Sequence, residues 1–192
     1  MTSSSRRTAE PGDGDVGAGD DDTGRAADAV VQALDGAMVV VTAAAGGERD
    51  GCLVGFHSQC SIHPRQYAVW LSKANRTYEV AARADHVAVH LLARHQRDLA
   101  ALFGAETGDE VDKFVACAWE EGPGGAPLLA DAAGHVVLRR LALLDVGGDH
   151  ACLVGEPVAA RPPGAPRPAT LRLGDVADLE AGHPADDPPR AP

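Results

Sequence analysis

The close spacing of its apolar, β-branched segments is the feature that most constrains the fold of this chain. Six such segments are typical of strands, at 38–45, 52–61, 67–72, 86–92, 135–146 and 150–160. Most gaps between them are too short for a helix in every crossover, which parallel strands would need. The sequence therefore predicts a mainly β fold, a six-stranded antiparallel barrel with Greek-key connections and two or three short helices.

Helical periodicity is confined to short stretches. The spacing of apolar residues predicts helices at 75–83 and 96–103, with Gly104 as a stop, and a short leading helix at 28–34. Another helical turn is expected within 109–115. The run Gly147-Gly148-Asp149 predicts a hairpin between the last two strands.

Composition predicts one folded domain between two tails. The 192 residues are 45% hydrophobic, which is enough for a single core. Residues 1–25 are rich in Ser, Gly and Asp and are expected to be disordered, because they bury too little apolar surface to offset the entropy of ordering. Residues 161–192 hold eight of the thirteen prolines and are expected to form a tail, or an arm on a partner subunit. The domain is placed at 26–160.

Charge and cysteine content exclude several functions. A formal charge of -11 argues against nucleic acids and anionic membranes as partners. No apolar run approaches the roughly 20 residues of a membrane span, and no signal peptide is recognisable. The four cysteines show no CxxC spacing and are expected to be reduced, so we expect a cytoplasmic protein.

The segment from Asp50 to Thr77 carries the main indication of function. Gly51 and Gly55 leave backbone bare within apolar strands, which suits a planar ring. The stretch 72–77 precedes a helix, where free amides and the positive end of the dipole favour an anion. Lys73 and Arg76 add positive charge there, so the segment predicts a shelf for a ring beside a socket for a phosphate.

In this register the segment resembles the flavin reductase-like family of split barrels that bind FMN. The matching order is a glycine, a polar strand, a proline turn, an apolar strand and an Arg-Thr pair, here Gly51, 53–61, Pro64, 67–71 and Arg76-Thr77. The GGAP run at 124–127 and the Gly-Asp-His at 148–150 continue the likeness, which covers about 29–160.

The resemblance implies a split β-barrel and an FMN-dependent NAD(P)H:flavin oxidoreductase, in which nicotinamide passes hydride to flavin N5. FMN is the expected cofactor, with FAD as an alternative, and NADH or NADPH is the expected co-substrate. The resemblance also implies a homodimer and a possible monooxygenase partner that uses the reduced flavin.

The resemblance also assigns roles to individual residues. The ring shelf is assigned to four consecutive residues: Leu53, Val54, Gly55 and Phe56. Hydrogen bonds to the ribityl chain or ring edge are assigned to Ser58 and Gln59. The phosphate is assigned to five residues of one loop: Ser72, Lys73, Ala74, Arg76 and Thr77. Gln96 is placed at the same site, and His150 is the candidate catalytic residue facing nicotinamide.

Departures from the family pattern keep a second function open. Gly55-Phe56 replaces the usual polar pair, Leu53 replaces a common threonine, and His57 replaces an aromatic residue. These changes favour considering a non-catalytic split barrel that binds flavin or another planar cofactor, such as a deazaflavin or haem.

Other motifs carry less information. A GxGxxG at Gly12, Gly14 and Gly17 lacks the preceding strand that dinucleotide binding requires, and is surrounded by aspartates. Five histidines and a cysteine (His57, His63, His86, His90, His95, Cys60) lack metal-ligand spacing, so no metal site is predicted. The sequence has no GxSxG motif, the nucleophile elbow that would indicate a hydrolase.

Overall fold

The computed structural model describes residues 18–182 and 189–190, and the chain divides into two compact units after Leu34. The first unit contains helix α1 (Ala18–Leu34). Its first residues were expected to be disordered, which is wrong for 18–25; residues 1–17 lie outside the described part. Acidic residues near the N-terminal end favour a helix through the dipole, and Arg25 pairs with Asp22 one turn earlier.

The second unit is built on a seven-stranded antiparallel sheet in the order β2-β1-β5-β8-β9-β4-β3. Its strands are β1 (Val39–Ala45), β2 (Glu48–Val54), β3 (His57–Ser61), β4 (Gln66–Ser72), β5 (His86–Leu91), β8 (Gly134–Leu144) and β9 (His150–Arg161). A separate ribbon pairs β6 (Trp119–Glu121) with β7 (Pro127–Leu129). The mainly antiparallel β prediction is confirmed, whereas the count of six strands is wrong.

The extra strand arises because the predicted segment 52–61 is two strands separated by Gly55 and Phe56. β2 and β3 lie at opposite ends of the strand order, yet only these two residues join them. Two residues span at most about 10 Å from strand to strand. The sheet must therefore curve until its edges approach, which makes a barrel.

The barrel interior is aliphatic. Strand alternation directs Val39, Val41 and Ala43 inward, where they meet inward residues of β2 and β4, strands near opposite ends of the strand order. Helix α2 (Arg76–Arg83) contributes buried residues to the same cluster, including Tyr78 and Val80. Asn75 caps this helix by accepting a hydrogen bond from the Thr77 amide.

A second apolar cluster lies on the other face of β1. Met38 and Val40 pack there with Phe103 of helix α3 (Arg97–Gly104). Leu171 and Val176, from the proline-rich C-terminal segment, are buried in the same cluster. The described part of that segment thus packs on its own domain.

His90, on β5 of the barrel, is hydrogen-bonded to two residues of this second cluster, Val40 and Leu129. The side chain is fully buried, its Nδ1 lies 3.1 Å from the Val40 carbonyl, and its Nε2 accepts from the Leu129 amide at 3.0 Å. Since the amide can only donate to Nε2, Nδ1 carries the proton and the ring is neutral. Burial lowers the pKa of His90 to about 3.

Several short elements complete the domain. Short 3-10 helices occupy Lys113–Val115, Pro123–Gly125 and Leu173–Val176. The β6–β7 ribbon was not predicted, because three-residue strands beside Pro and Gly give no usable periodicity. None of the helices in the described residues combines the length and apolarity needed to cross a bilayer.

Candidate functional site

A pocket of about 360 Å³ opens where β2 passes into β3. Its apolar lining includes Met38, Leu53, Val54 and Phe103, and Gly55 and Phe56 belong to it as well. Trp70, Ser72, Asn75 and His150 line it too and supply its polar groups. An apolar cavity with a few convergent polar groups is the usual form of a small-ligand site.

Alternation at the strand junction separates this pocket from the barrel interior. Phe56 lines the pocket and is 55% exposed, whereas the next residue, His57, lies against Tyr67 on the interior side. The Tyr67 hydroxyl is 2.6 Å from His57 Nδ1, and Nε2 is 2.8 Å from the Ala37 carbonyl. Because a carbonyl only accepts, Nε2 carries the proton. His57, a departure from the family pattern, is thus a structural residue here.

His150 stands at the start of β9, lines the pocket and contacts Phe56 there. Its ring centroid lies 5.3 Å from that of Phe56 in an edge arrangement. Its Nδ1 is 3.0 Å from an oxygen of Asp149, and the hydrogen bond from His150 lowers the pKa of that carboxyl. Asp149 is therefore an acceptor at neutral pH, which fixes the ring by Nδ1. Among the described residues, Nε2 has no hydrogen-bond partner.

The loop 72–77 provides two unused amides. The amide of Lys73 donates to the Asp149 carbonyl, and that of Asn75 to the Ser72 carbonyl. The amide of Thr77 is used by the Asn75 cap. Within the part of the chain that is described, the amides of Ala74 and Arg76 have no acceptor, so both are available to an anion.

The charged and hydroxyl groups of this loop are engaged with the protein. Lys73 Nζ lies 3.1 Å from an oxygen of Asp145 on the β8–β9 side. Arg76 Nη1 donates to the Gly108 carbonyl at 2.6 Å. The buried Thr77 hydroxyl donates to Asp50 at 3.0 Å. These three residues follow or adjoin the lining residues Ser72 and Asn75 in sequence but are not part of the lining, and their side chains are already partnered. Arg76 lines a separate pocket with Glu48 and Asp109.

Besides the loop residues, three predicted residues are absent from the pocket lining. Ser58 and Gln59 are exposed on β3, where their side chains bond neighbouring backbone carbonyls. Gln96 precedes α3, accepts from the Ala93 amide at 2.8 Å and donates to the Asp131 carbonyl. These bonds place Gln96 in a different surface pocket.

Several lining residues escaped sequence analysis. Trp70 could have been found from alternation, since Val69 and Leu71 are buried on the other face of β4. Met38 and Phe103 looked like ordinary core residues. Leu173 and Ala181 reach the pocket from the C-terminal segment, and no local pattern indicates this.

The model of the flavin reductase like domain family matches residues 31–176. The chain belongs to this family. Relatives include "Stachydrine N-demethylase reductase subunit Stc3" of Rhizobium meliloti, 27% identical over 129 residues, which are 67% of this chain and 54% of that protein. The reductase subunit HsaB of a flavin-dependent monooxygenase of Mycobacterium tuberculosis is 27% identical over 137 residues, 68% of this chain and 71% of that protein.

Solved structures agree with the fold. The NADH:FAD oxidoreductase SgcE6 of Streptomyces globisporus C-1027 is 25% identical with a TM-score of 0.64, covering 73% of this chain and 84% of that one. An FMN-binding protein of Thermus thermophilus is 22% identical with a TM-score of 0.62, covering 84% and 80%. The chain spans only about half the length of some curated relatives, such as the 54% of Stc3.

Proposed function

We propose that this protein is an NAD(P)H:flavin oxidoreductase that uses FMN. The observation that carries the proposal is the pocket of about 360 Å³ at the β2–β3 junction, which joins an apolar wall to His150 and to Asn75. Asn75 lies between Ala74 and Arg76, whose amides have no acceptor among the described residues. The size of the pocket lies within the roughly 300–1,000 Å³ typical of ligand pockets.

The residues present fit a flavin. Leu53, Val54 and Gly55 offer apolar surface and bare backbone to a planar ring. Phe56 and Trp70 line the same pocket and would flank the ring. Ser72 and Asn75 supply polar contacts on the same lining. The amides of Ala74 and Arg76, at the positive end of α2, would hold the phosphate, with Lys73 adding charge.

The bound flavin supplies a ring that accepts hydride, so the chain needs no strong acid or base. The protein's task is to bind two rings in contact and to exclude water from them. His150, fixed through Nδ1 by Asp149, would present Nε2 to the nicotinamide and orient it. No proton transfer by this chain is required for that role.

The proposal is tested by absorbance spectroscopy of the purified protein titrated with FMN and then, without oxygen, with NADH or NADPH. We expect a bound flavin spectrum that bleaches with one or both donors. A protein that leaves the flavin spectrum and its fluorescence unchanged at every concentration contradicts the proposal. FAD titrated in parallel decides between the two flavins.

A second candidate is a flavin binder without turnover, and one contact favours it. Phe56 stands where the family usually has a polar residue, and its ring contacts His150 at 5.3 Å between centroids, at the place proposed for nicotinamide. If Phe56 keeps nicotinamide out, FMN binds but stays oxidised with both donors. Phe56→Ser would then allow bleaching, and this separates the two candidates.

We further propose that reduced flavin from this protein serves a separate monooxygenase, and that the chain forms a homodimer. HsaB is named as the reductase subunit of a flavin-dependent monooxygenase, which supports the first of these. Supply is tested by the oxygen-dependent activity of a candidate oxygenase with and without this protein, and the dimer by light scattering.

A further inference from the structure

Arg190 lies far along the chain from the loop 72–77 but is bound to it through both backbone and side chain. Its amide donates to the Lys73 carbonyl at 2.7 Å, and its Nε donates to the Ala74 carbonyl at 2.8 Å. The second bond joins residues 116 positions apart. Two successive carbonyls of the proposed phosphate loop are therefore held by one residue.

Holding the Lys73 carbonyl fixes the direction of the Ala74 amide, because the two groups belong to one peptide. In a trans peptide the C=O and N–H point in opposite directions. The cis bonds in the described residues are at His63-Pro64 and Ala165-Pro166, so the Lys73–Ala74 peptide is trans. With its carbonyl directed at Arg190, this peptide must direct the free Ala74 amide to the opposite side, away from Arg190.

The guanidinium of Arg190 is itself held in one position. It forms a two-pronged ion pair with Asp109, and Nη1 lies 3.7 Å from Glu79 on α2. The hydrogen bond from Arg190 is the main cause of the lowered pKa of Asp109. A planar guanidinium bound by a carboxylate on one edge and by a carbonyl at Nε has little rotational freedom.

The C-terminal segment is also fixed before Arg190. The Gly182 amide donates to the Gly104 carbonyl at 3.0 Å. A Cβ at Gly182 would lie 2.7 Å from the Ala105 carbonyl oxygen, so a side chain there would clash with backbone. Ala181 lines the pocket directly. The segment thus contacts the pocket at one point and the proposed phosphate loop at another.

We propose that Arg190 is a positioning residue for phosphate recognition: it holds the Lys73 and Ala74 carbonyls so that the Ala74 amide is preorganised for the phosphate of the flavin nucleotide. The inference rests on the proposed function. It makes the C-terminal segment part of the cofactor site, and it predicts an effect confined to ligands that carry the phosphate.

The test compares FMN with riboflavin, which has the same ring and ribityl chain but no phosphate. Dissociation constants are measured by fluorescence quenching for the full chain and for Arg190→Ala. Without the side chain, the bonds to the Ala74 carbonyl and to Asp109 are lost, and the backbone amide of residue 190 is no longer held against the Lys73 carbonyl. We expect the variant to bind FMN about tenfold more weakly and riboflavin within about twofold of wild type. Arg167→Ala, which removes an exposed cation from the same segment, is the matched control and should change neither constant.

A second variant, Arg190→Lys, keeps the charge but loses the fork that joins Ala74 to Asp109. We expect it to retain most of the FMN defect. Full recovery of FMN affinity in Arg190→Lys overturns positioning by geometry. Equal weakening of FMN and riboflavin binding in Arg190→Ala, or no weakening of either, overturns it as well. A wild type that binds both flavins equally overturns this inference alone, whereas one that binds neither overturns the proposed function and the inference with it.

Discussion

Two histidines on strands of the same sheet have opposite surroundings. His90 on β5 is fully buried, and both its ring nitrogens are bonded to backbone, at 3.1 Å to the Val40 carbonyl and 3.0 Å to the Leu129 amide. His150 on β9 lines the pocket, and within the described part of the chain only Nδ1 is bonded, to Asp149 at 3.0 Å. One ring has no capacity left for a ligand, while the other keeps a nitrogen free.

The difference shows what separates a structural from a functional histidine in this barrel. Residue type does not distinguish them, and both lie on strands of the same sheet. What distinguishes them is whether the protein itself satisfies both nitrogens. Changing each histidine in turn, and measuring both the free energy of unfolding and the rate of flavin reduction, tests this distinction.

The largest effect is expected on stability from His90→Ala. The substitution leaves the Val40 carbonyl and the Leu129 amide buried without partners and opens a cavity, so the free energy of unfolding should fall by about 3 kcal/mol. Urea unfolding at neutral pH measures it. His150→Ala, at the pocket, should change the same quantity by less than about 0.5 kcal/mol. Equal losses would contradict the comparison.

The next effect is on the pH dependence of stability. His90 has a pKa of about 3 in the folded protein against 6.5 ordinarily, so below pH 6.5 the unfolded chain binds a proton that the folded chain does not. The stabilisation is complete above pH 6.5 and is lost as the pH falls towards 3, by up to about 1.4 kcal/mol per pH unit. The difference in the free energy of unfolding between wild type and His90→Gln, measured between pH 4 and 6.5, isolates this slope. A difference that does not vary with pH would rule out the neutral buried ring.

On the functional side, His150→Ala should slow hydride transfer about tenfold, since one hydrogen bond to the bound nicotinamide is lost. FMN affinity should stay within about twofold, because the ring wall and the loop amides are unchanged. Stopped-flow absorbance without oxygen gives the rate. A wild-type rate of hydride transfer in the variant would contradict a role for His150 in this step.

The smallest effect is expected from Asp149→Asn. The amide still accepts from His150 Nδ1 but no longer carries the charge that favours this orientation, so hydride transfer should slow about threefold. Asp145→Asn is the matched control, since it lies in the same β8–β9 connection and contacts Lys73 instead. A larger loss in the control would show that the connection, and not the bond to His150, matters.

Much of the fold followed from local patterns. The strands at 67–72, 86–92 and 150–160 and the helices at 75–83 and 96–103 appear within a residue or two, because each has a clear periodicity. The break at Gly55-Phe56 was missed, since it depends on how the sheet closes. The ribbon β6–β7 was missed because its strands are too short to show a pattern.

The candidate site was predictable only where its residues are close in sequence or match the family order. The shelf 53–56, Ser72 and His150 do line one pocket. Whether they bind flavin remains a prediction. Trp70 was overlooked although alternation would have found it. Arg190 could not have been found, because its contact with Ala74 spans 116 positions and depends on tertiary structure alone.

The two-residue junction between β2 and β3 also determines which kinds of mutation this protein tolerates. Phe56 lines the pocket and His57 lies on the interior side, so neighbouring positions serve opposite faces of the wall. A substitution at either changes one face only. Deleting a single residue between Val54 and His57 would shift β3 by one residue and turn His57 away from the interior side, where it is bonded to Tyr67. In this segment the number of residues between β2 and β3 matters more for the structure than the identity of any one of them.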